Sequence, residues 1–506
     1  DDDDKEKVLL IVDFEKILSR FENLEPKYVW HYFDALLNIP RPSKHEEKVI
    51  AYLKDLARQK GLEFRQDKAK NVVLKIPATK GFENAPTIIL QGHIDMVAEK
   101  NSDVDFDFLK QPIDAYIDGD WVKARGTTLG ADNGIGVASA LAFIDDPEAI
   151  HGPIEILCTV DEETGLTGAS NLDAKLLSGR IMLNLDSEED GVFFIGCAGG
   201  ANTSTKLPVK QIGISKRFKT LEIKISGLLG GHSGLNIIEN RANAIKLMAR
   251  ALKSALLSKA EFMIVDIRGG DKHNAIPREA FATVAVNEKH IDKFNNALNN
   301  EIAKAKTEFA TIDKEINLEI SNSAKKVSKA INPKDTVKLI DLLLALPHGV
   351  IAMSREIKGL VETSSNLATI KMTGKIVEIL TSSRSSISEA LDTVLMSIDS
   401  IVALAGGKTK GFGRYPAWRP NIDSPLLNKA REVYKNMYGK EPLVTAIHAG
   451  LECGIIMDKV GKMDVISLGP EMHGVHSPQE RLNIPSVGRF YNYLKRLVET
   501  ITREGL

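Results

Sequence analysis

Short apolar runs, each closed by polar side chains, recur at residues 86–91, 154–160, 181–185 and 464–468. Their length and apolar content predict buried strands. From residue 62 to 202 such runs alternate with helical periodicity, the pattern of an α/β sheet. Helices are predicted over 28–37 and 43–59, the second with Ser43 as its N-cap. The middle of the chain reads differently. Strand 220–226, helix 239–256, strands 261–268 and 280–287, helix 291–309 and strand 315–321 follow the β-α-β-β-α-β order of ferredoxin-like units. A rougher second copy is predicted from helix 334–346, strands near 350–353, 365–372 and 376–382, helix 387–404 and strand 408–413. Glycine-rich, coil-like segments at 196–200 and 411–416 bracket this region. The chain therefore reads as one α/β domain, residues 6–200 and 416–506, interrupted at 201–415 by an α+β insert of two ferredoxin-like halves.

The polar closures of the apolar runs carry the candidate chemistry. They are His93-Ile94-Asp95, Asp161-Glu162-Glu163, Asp186, and a segment holding His473 and His476. Ligands in open α/β sheets bind beyond the carboxyl ends of the strands, so residues spread over most of the chain can converge there. In an extended strand, His93 and Asp95 share a face. A metal on His93 would leave Asp95 to hold the other ring nitrogen. Asp132 lies in Gly130-Ala131-Asp132-Asn133-Gly134 just before a helical stretch. Either it is a plain N-cap, or its two oxygens serve two cations. Three adjacent carboxylates at 161–163 are ordinarily a solvated loop. Beside cations, one glutamate can ligate while its neighbour acts as a base on bound water. Spacing alone does not choose between His473 and His476. Histidine with carboxylates and no thiolate suits zinc, with cobalt or manganese also compatible.

Composition narrows the field. With 66 basic and 68 acidic side chains, the formal charge is −2, which argues against a nucleic-acid or anionic-membrane partner. No apolar run approaches the roughly 18 residues of a membrane span. Cys158, Cys197 and Cys453 are odd in number and form no CxxC, as expected for reduced thiols and a cytoplasmic location. Asp1-Asp-Asp-Asp-Lys5 reads as a protease-recognition tag and is set aside. A calcium loop at Asp103-Val-Asp-Phe-Asp fails because Phe108 stands where glycine is needed. No GxGxxG supports a dinucleotide site.

Taken in order, Gln91-Gly-His-Ile-Asp-Met-Val, Thr127-Thr-Leu-Gly-Ala-Asp-Asn-Gly-Ile-Gly, Asp161-Glu-Glu-Thr-Gly-Leu-Thr-Gly-Ala, Asn184-Leu-Asp-Ser-Glu-Glu and His448-Ala-Gly-Leu-Glu-Cys-Gly resemble the di-zinc superfamily of aminoacylases, carboxypeptidase G2, peptidase T and carnosinases. Within it the resemblance is to the bacterial Xaa-His dipeptidases, also called aminoacyl-histidine dipeptidases or peptidase D, and it covers nearly the whole chain. It implies a di-metal peptidase sheet sandwiched by helices, with the insert as a lid. It also implies two divalent ions, zinc first: one on His93 and Asp186, one on Glu163 and His476, with Asp132 bridging. Glu162 would be the general base, Asp95 the partner of His93, and the Asp132–Asn133 peptide cis. His476, in the HSPxE sequence, is favoured over His473. In the insert, His232 would stabilise the oxyanion, while Asn274 and Arg384 would bind substrate, Arg384 through its carboxylate.

The implied activity is hydrolysis of short peptides, preferably Xaa-His dipeptides such as β-alanyl-histidine, by a metal-bridging hydroxide. A homodimer is compatible with this but not required, with His232 serving its own chain. Three other readings stand beside it. These are a broad dipeptidase or tripeptidase, an N-acyl amino-acid deacylase, and a metal-binding interaction protein without activity.

Overall fold

The computed structural model describes residues 20–324 and 327–506; the tag segment at 1–5 lies outside them. The chain divides into two compact units. The first comprises residues up to Ile195 with Asn421–Thr445 and Ile455–Leu506. The second comprises Gly196–Pro420 with Ala446–Gly454.

Among the described residues, the first unit is built on an eight-stranded sheet. Its order is Glu63–Gln66, Val72–Ile76, Ile154–Thr159, Ile88–His93, Ile181–Asn184, Asp464–Ser467, Val192–Cys197, Leu443–Ile447. Ile88–His93 runs parallel to both Ile154–Thr159 and Ile181–Asn184, and Asp464–Ser467 runs parallel to Ile181–Asn184. The three strands Ile88–His93, Ile154–Thr159 and Ile181–Asn184 are buried along their full length. This is why they read as continuous apolar runs rather than alternating ones. All four apolar runs of the sequence are thus adjacent parallel strands, and their polar closures lie at one edge of the sheet.

Two expectations near this edge need correction. The second helix is Glu47–Lys60, starting after Glu46 rather than Ser43. Ser43 does not cap it, because its hydroxyl donates to Asp95 Oδ2 at 2.7 Å. Asp132 lies at the start of Ala131–Ala142 without being its N-cap. That place falls to Gly130 at φ 74°, and Asp132 itself is extended at φ −79°, ψ 110°.

The second unit holds a long sheet in the order Asn317–Asn322, Phe218–Ser226, Ala280–Asn287, Phe262–Gly269, Val361–Thr373, Ile376–Ser385, Gly199–Pro208, Lys408–Tyr415. It contains two β-α-β-β-α-β sets joined where Gly269 pairs with Ile370. The first strand of the second set is Gly199–Pro208, so the first set is inserted between that strand and helix Pro333–Ala345. Segments expected as coil at 196–200 and 411–416 are largely strand. Their glycines serve close approach: a Cβ on Gly200 would lie 2.6 Å from Tyr415 Oη, and one on Gly199 2.5 Å from Ala417 N. Residues Ala446–Gly454 pack with this unit because Ala198 N–H donates to the carbonyls of Ile447 and Ala449.

Candidate active site

Local sequence explains how each side chain reaches the sheet edge in the first unit. Ile88–His93 ends in His93, which is 1% exposed, and the extended backbone then delivers Asp95, fully buried. After Ile154–Thr159 the chain turns at Asp161, whose φ of 48° is left-handed. Thr164 and Thr167 donate their hydroxyls to the Asp161 carboxylate and hold that turn. Glu162 and Glu163 then open a one-turn helix, Glu162–Gly165. Asp186 follows Ile181–Asn184, and His476, at φ 62°, follows the Asp464–Ser467 strand.

These residues converge. His93 Nε2 lies 3.0 Å from Asp132 Oδ1 and 3.4 Å from Asp186 Oδ1. His476 Nε2 lies 3.0 Å from Asp132 Oδ2 and 3.0 Å from Glu163 Oε2. Asp132 therefore stands between two imidazoles, one oxygen facing each. The Asp132–Asn133 peptide is cis. Among the described residues four sets of three donors could hold an ion, and two of them share Asp132: His93 with Asp132 and Asp186, and Asp132 with Glu163 and His476. A third joins Glu162 to His93 and Glu163, and the fourth is Glu46, Asp95 and Asp161. The other histidine in this segment, His473, lies instead 2.9 Å from Glu471 and against the Trp121 ring.

Asp95 organises the cluster from behind. Its Oδ1 lies 3.2 Å from His93 Nδ1, which leaves Nε2 as the ring atom facing the carboxylates. The same carboxylate accepts the backbone N–H of Glu162 at 3.1 Å and of Glu163 at 3.2 Å. Burial would raise its pKa, but His93, Ser43 and the Glu162 N–H outweigh burial and hold it down to about 2.

The donor chemistry fits divalent cations. Glu163 Oε1 is buried without a hydrogen-bond partner among the described residues, a costly state for a carboxylate oxygen unless a cation meets it. Hydrogen bonds to Asp132 and Glu163 push His476 up to about 11. For His93, burial alone would lower the pKa, yet Asp186, Asp132 and Asp95 hold it well above the ordinary range.

In the second unit a separate polar cluster forms around the insert residues singled out in the sequence. His232 Nδ1 accepts the backbone N–H of Gly234 and of Leu235, both at 3.1 Å, so the neutral ring carries its proton on Nε2. Burial, with Arg384 and His273 nearby, lowers His232 to about 4. The Asn274 carbonyl accepts from Ser233 N–H at 2.9 Å, tying the two loops together. Arg384 is 8% exposed; its Nη1 donates to Tyr415 Oη at 3.1 Å, and its buried Nε has no partner among the described residues. Opposite it in register is Ser364, whose hydroxyl lies 2.7 Å from His448 Nε2.

Sequence reasoning passed over several of these residues. Glu480, 2% exposed, was visible only as the last letter of HSPxE. His448 was visible only as the first residue of its motif, and Arg41, between two prolines, carried no local signal, since its guanidinium donates to the carbonyls of Ile94, Asp95 and Gly130, distant in sequence.

Imidazoles and carboxylates gathered at the carboxyl ends of parallel strands make this edge of an α/β sheet a candidate cation-binding site. The sequence model of Peptidase family M20/M25/M40 matches residues 89–500, and the chain belongs to that family. It is thus a peptidase, a hydrolase acting on peptide bonds. It is 42% identical over 485 residues to the cytosol non-specific dipeptidase of Escherichia coli K12, covering 96% of this chain and 99% of that protein. It is 41% identical to the aminoacylhistidine dipeptidase of Vibrio alginolyticus, whose crystal structure superposes with a TM-score of 0.89 over 96% of this chain and 99% of that one. A Staphylococcus aureus tripeptidase shares the fold at 17% identity, with a TM-score of 0.54 over 95% of this chain and 100% of that one. Among the described residues no helix is long and apolar enough to cross a membrane.

Proposed function

We propose that the chain is a cytoplasmic dipeptidase dependent on two divalent ions, zinc first, that favours Xaa-His substrates such as β-alanyl-histidine. The observation that carries this reading is Asp132, with one oxygen 3.0 Å from His93 and the other 3.0 Å from His476. Its neighbours Asp186 and Glu163 complete the two donor sets that share Asp132, and Glu162 lies beside them, within reach of His93 and Glu163. Two ions held there would supply Lewis acidity to the scissile carbonyl and lower the pKa of a water from about 15.7 toward about 7. Glu162 takes the attacking water's proton and returns it to the leaving amine. His232, neutral with its proton on Nε2, donates to the carbonyl oxygen as negative charge develops. Arg384 pairs with the free carboxylate of the substrate, restricting the enzyme to very short peptides, and Asn274 supplies a further hydrogen bond.

The names of the two full-length relatives support a dipeptide substrate but differ on the second residue. The Vibrio protein supports Xaa-His; the E. coli protein favours a second reading, broad dipeptidase activity. Comparing kcat/KM for β-alanyl-histidine, alanyl-histidine, alanyl-alanine, triglycine and an N-acetyl amino acid decides between them. Equal rates across the dipeptides favour the broad enzyme, and fastest turnover of the acetylated substrate would replace both with a deacylase. Glu162→Gln should keep its metal and lose at least 100-fold in kcat, within the usual range for general-base catalysis. Retention of activity within about tenfold would remove Glu162 from the base role.

A further inference from the structure

Three segments of the first unit bring His93, Asp132 and His476 together, and two buried charged side chains link these segments. Glu480 lies four positions beyond His476. Its Oε2 accepts the backbone N–H of Leu129 at 2.7 Å and of Gly130 at 3.0 Å, and its Oε1 accepts that of Asp132 at 3.2 Å. Arg41, 1% exposed, donates through Nη1 to the carbonyls of Ile94 and Asp95 at 3.2 and 3.0 Å, and through Nη2 to the carbonyl of Gly130 at 2.5 Å. The two residues thus grip Gly130 from both sides, Glu480 its N–H and Arg41 its C=O. One ties the turn to the His476 loop, the other to the end of the His93 strand.

We propose that Arg41 and Glu480 are positioning residues, a buried charged brace that holds the Asp132 turn midway between the two histidines and thereby lets the site take two ions instead of one. Taking such groups out of water is costly, and burial pushes the Glu480 carboxyl up to about 7; an amide in its place would not make the same contacts. Three N–H donors converge on Glu480, so both of its side-chain atoms must be acceptors. In glutamine one of them becomes an NH2 that faces an N–H. Arg41 reaches three carbonyls only because its guanidinium is a rigid fork, which lysine lacks. The turn is shaped to the brace: a Cβ on Gly130 would lie 2.8 Å from Arg41 Nη2, and one on Gly134 2.6 Å from it. Asp132 faces both histidines at 3.0 Å, so a shift of the turn that keeps one contact lengthens the other. The proposal rests on the two-metal reading above.

The test is a Co²⁺ titration of the metal-free full chain, followed by visible absorption and calorimetry, with circular dichroism to verify folding. Glu155→Gln serves as the control. Glu155 is also buried, at 1% exposure, and accepts from Ser178 and Gly179 N–H, but it lies at the opposite end of the sheet strands. Wild type and Glu155→Gln should each bind two equivalents. Glu480→Gln should bind one equivalent with near-normal affinity and the second roughly 10- to 100-fold more weakly, the usual cost of losing a residue that orients ligands. If Glu480→Gln does not fold, Arg41→Lys is measured in the same way with the same expectation. Two equivalents at wild-type affinity in the brace variant, or equal losses in Glu155→Gln, would overturn the brace. Fewer than two equivalents in the wild type would instead sink the two-metal reading itself.

Discussion

The Nε2 atoms of His93 and His476 each face two carboxylate oxygens, and this governs how the site exchanges protons for metal. In the metal-free protein hydrogen bonds to Asp132 and Glu163 push His476 up to about 11, so its ring is protonated at neutral pH, and the surrounding carboxylates hold His93 above its ordinary value. Metal binding on His476 must displace its proton. Calorimetry at pH 7 in buffers of different ionisation enthalpy should show proton release on metal binding, reduced by about one proton per chain in His476→Ala. Proton release unchanged in His476→Ala would contradict this account of the His476 imidazole. At this scale the sequence was informative about residue type and weak on partners. It left His473 and His476 equivalent until the resemblance was applied, whereas the fold brings only His476 to Asp132 and Glu163.

Strand ends and turns decide the geometry one level up. Asp95 receives two backbone N–H groups from the Glu162–Gly165 turn as well as the His93 ring, so a single carboxylate aligns a candidate ligand pair and the candidate base. Asp95→Asn should therefore lower both metal affinity and kcat by roughly 10- to 100-fold while leaving the fold intact. Metal analysis after dialysis, with kcat at saturating metal, checks this. An Asp95→Asn enzyme matching wild type in both would show that the turn holds itself. The strands were legible because burial on both faces makes them continuously apolar. Helix starts were less so: Ser43 has the chemistry of an N-cap, but its hydroxyl is used by Asp95, more than fifty positions away. Glycine runs at 196–200 and 411–416 suggested coil, since nothing local reveals that Gly199 and Gly200 lie against the backbone and ring of residues 415–417.

Across the whole molecule, acid should act unevenly. In the second unit burial lowers His448 to about 3, with Arg384 and His232 adding to the effect, and lowers His348 to about 3 and His232 to about 4. Each folded value lies below the ordinary 6.5, so between these limits the unfolded chain binds more protons than the folded one. Stability present above pH 6.5 is then lost as the pH falls toward about 4 for His232 and about 3 for His448 and His348. The slope is up to about 1.4 kcal/mol per pH unit for each fully buried histidine. Hydrogen exchange at pH 7 and pH 5 should show protection declining in strands Val361–Thr373 and Ile376–Ser385, and His448→Gln should reduce that decline. Pronounced acid sensitivity unchanged in His448→Gln would assign it to other groups.

By itself the sequence determined the layered α/β character of the chain, the first β-α-β-β-α-β set of the insert and a rougher second set without its first strand, and the side chains that could meet at the sheet edge. These follow from periodicity, from the placement of polar residues after apolar runs, and from motif order, all of them local properties. Only the tertiary structure decided which contacts those side chains make. It brought one carboxylate between two histidines, drew Gly199–Pro208 into the second set across the whole first set, and buried Arg41 and Glu480 around one peptide group. Such relations join positions tens to hundreds of residues apart, where packing and hydrogen-bond geometry, not local pattern, select the partner.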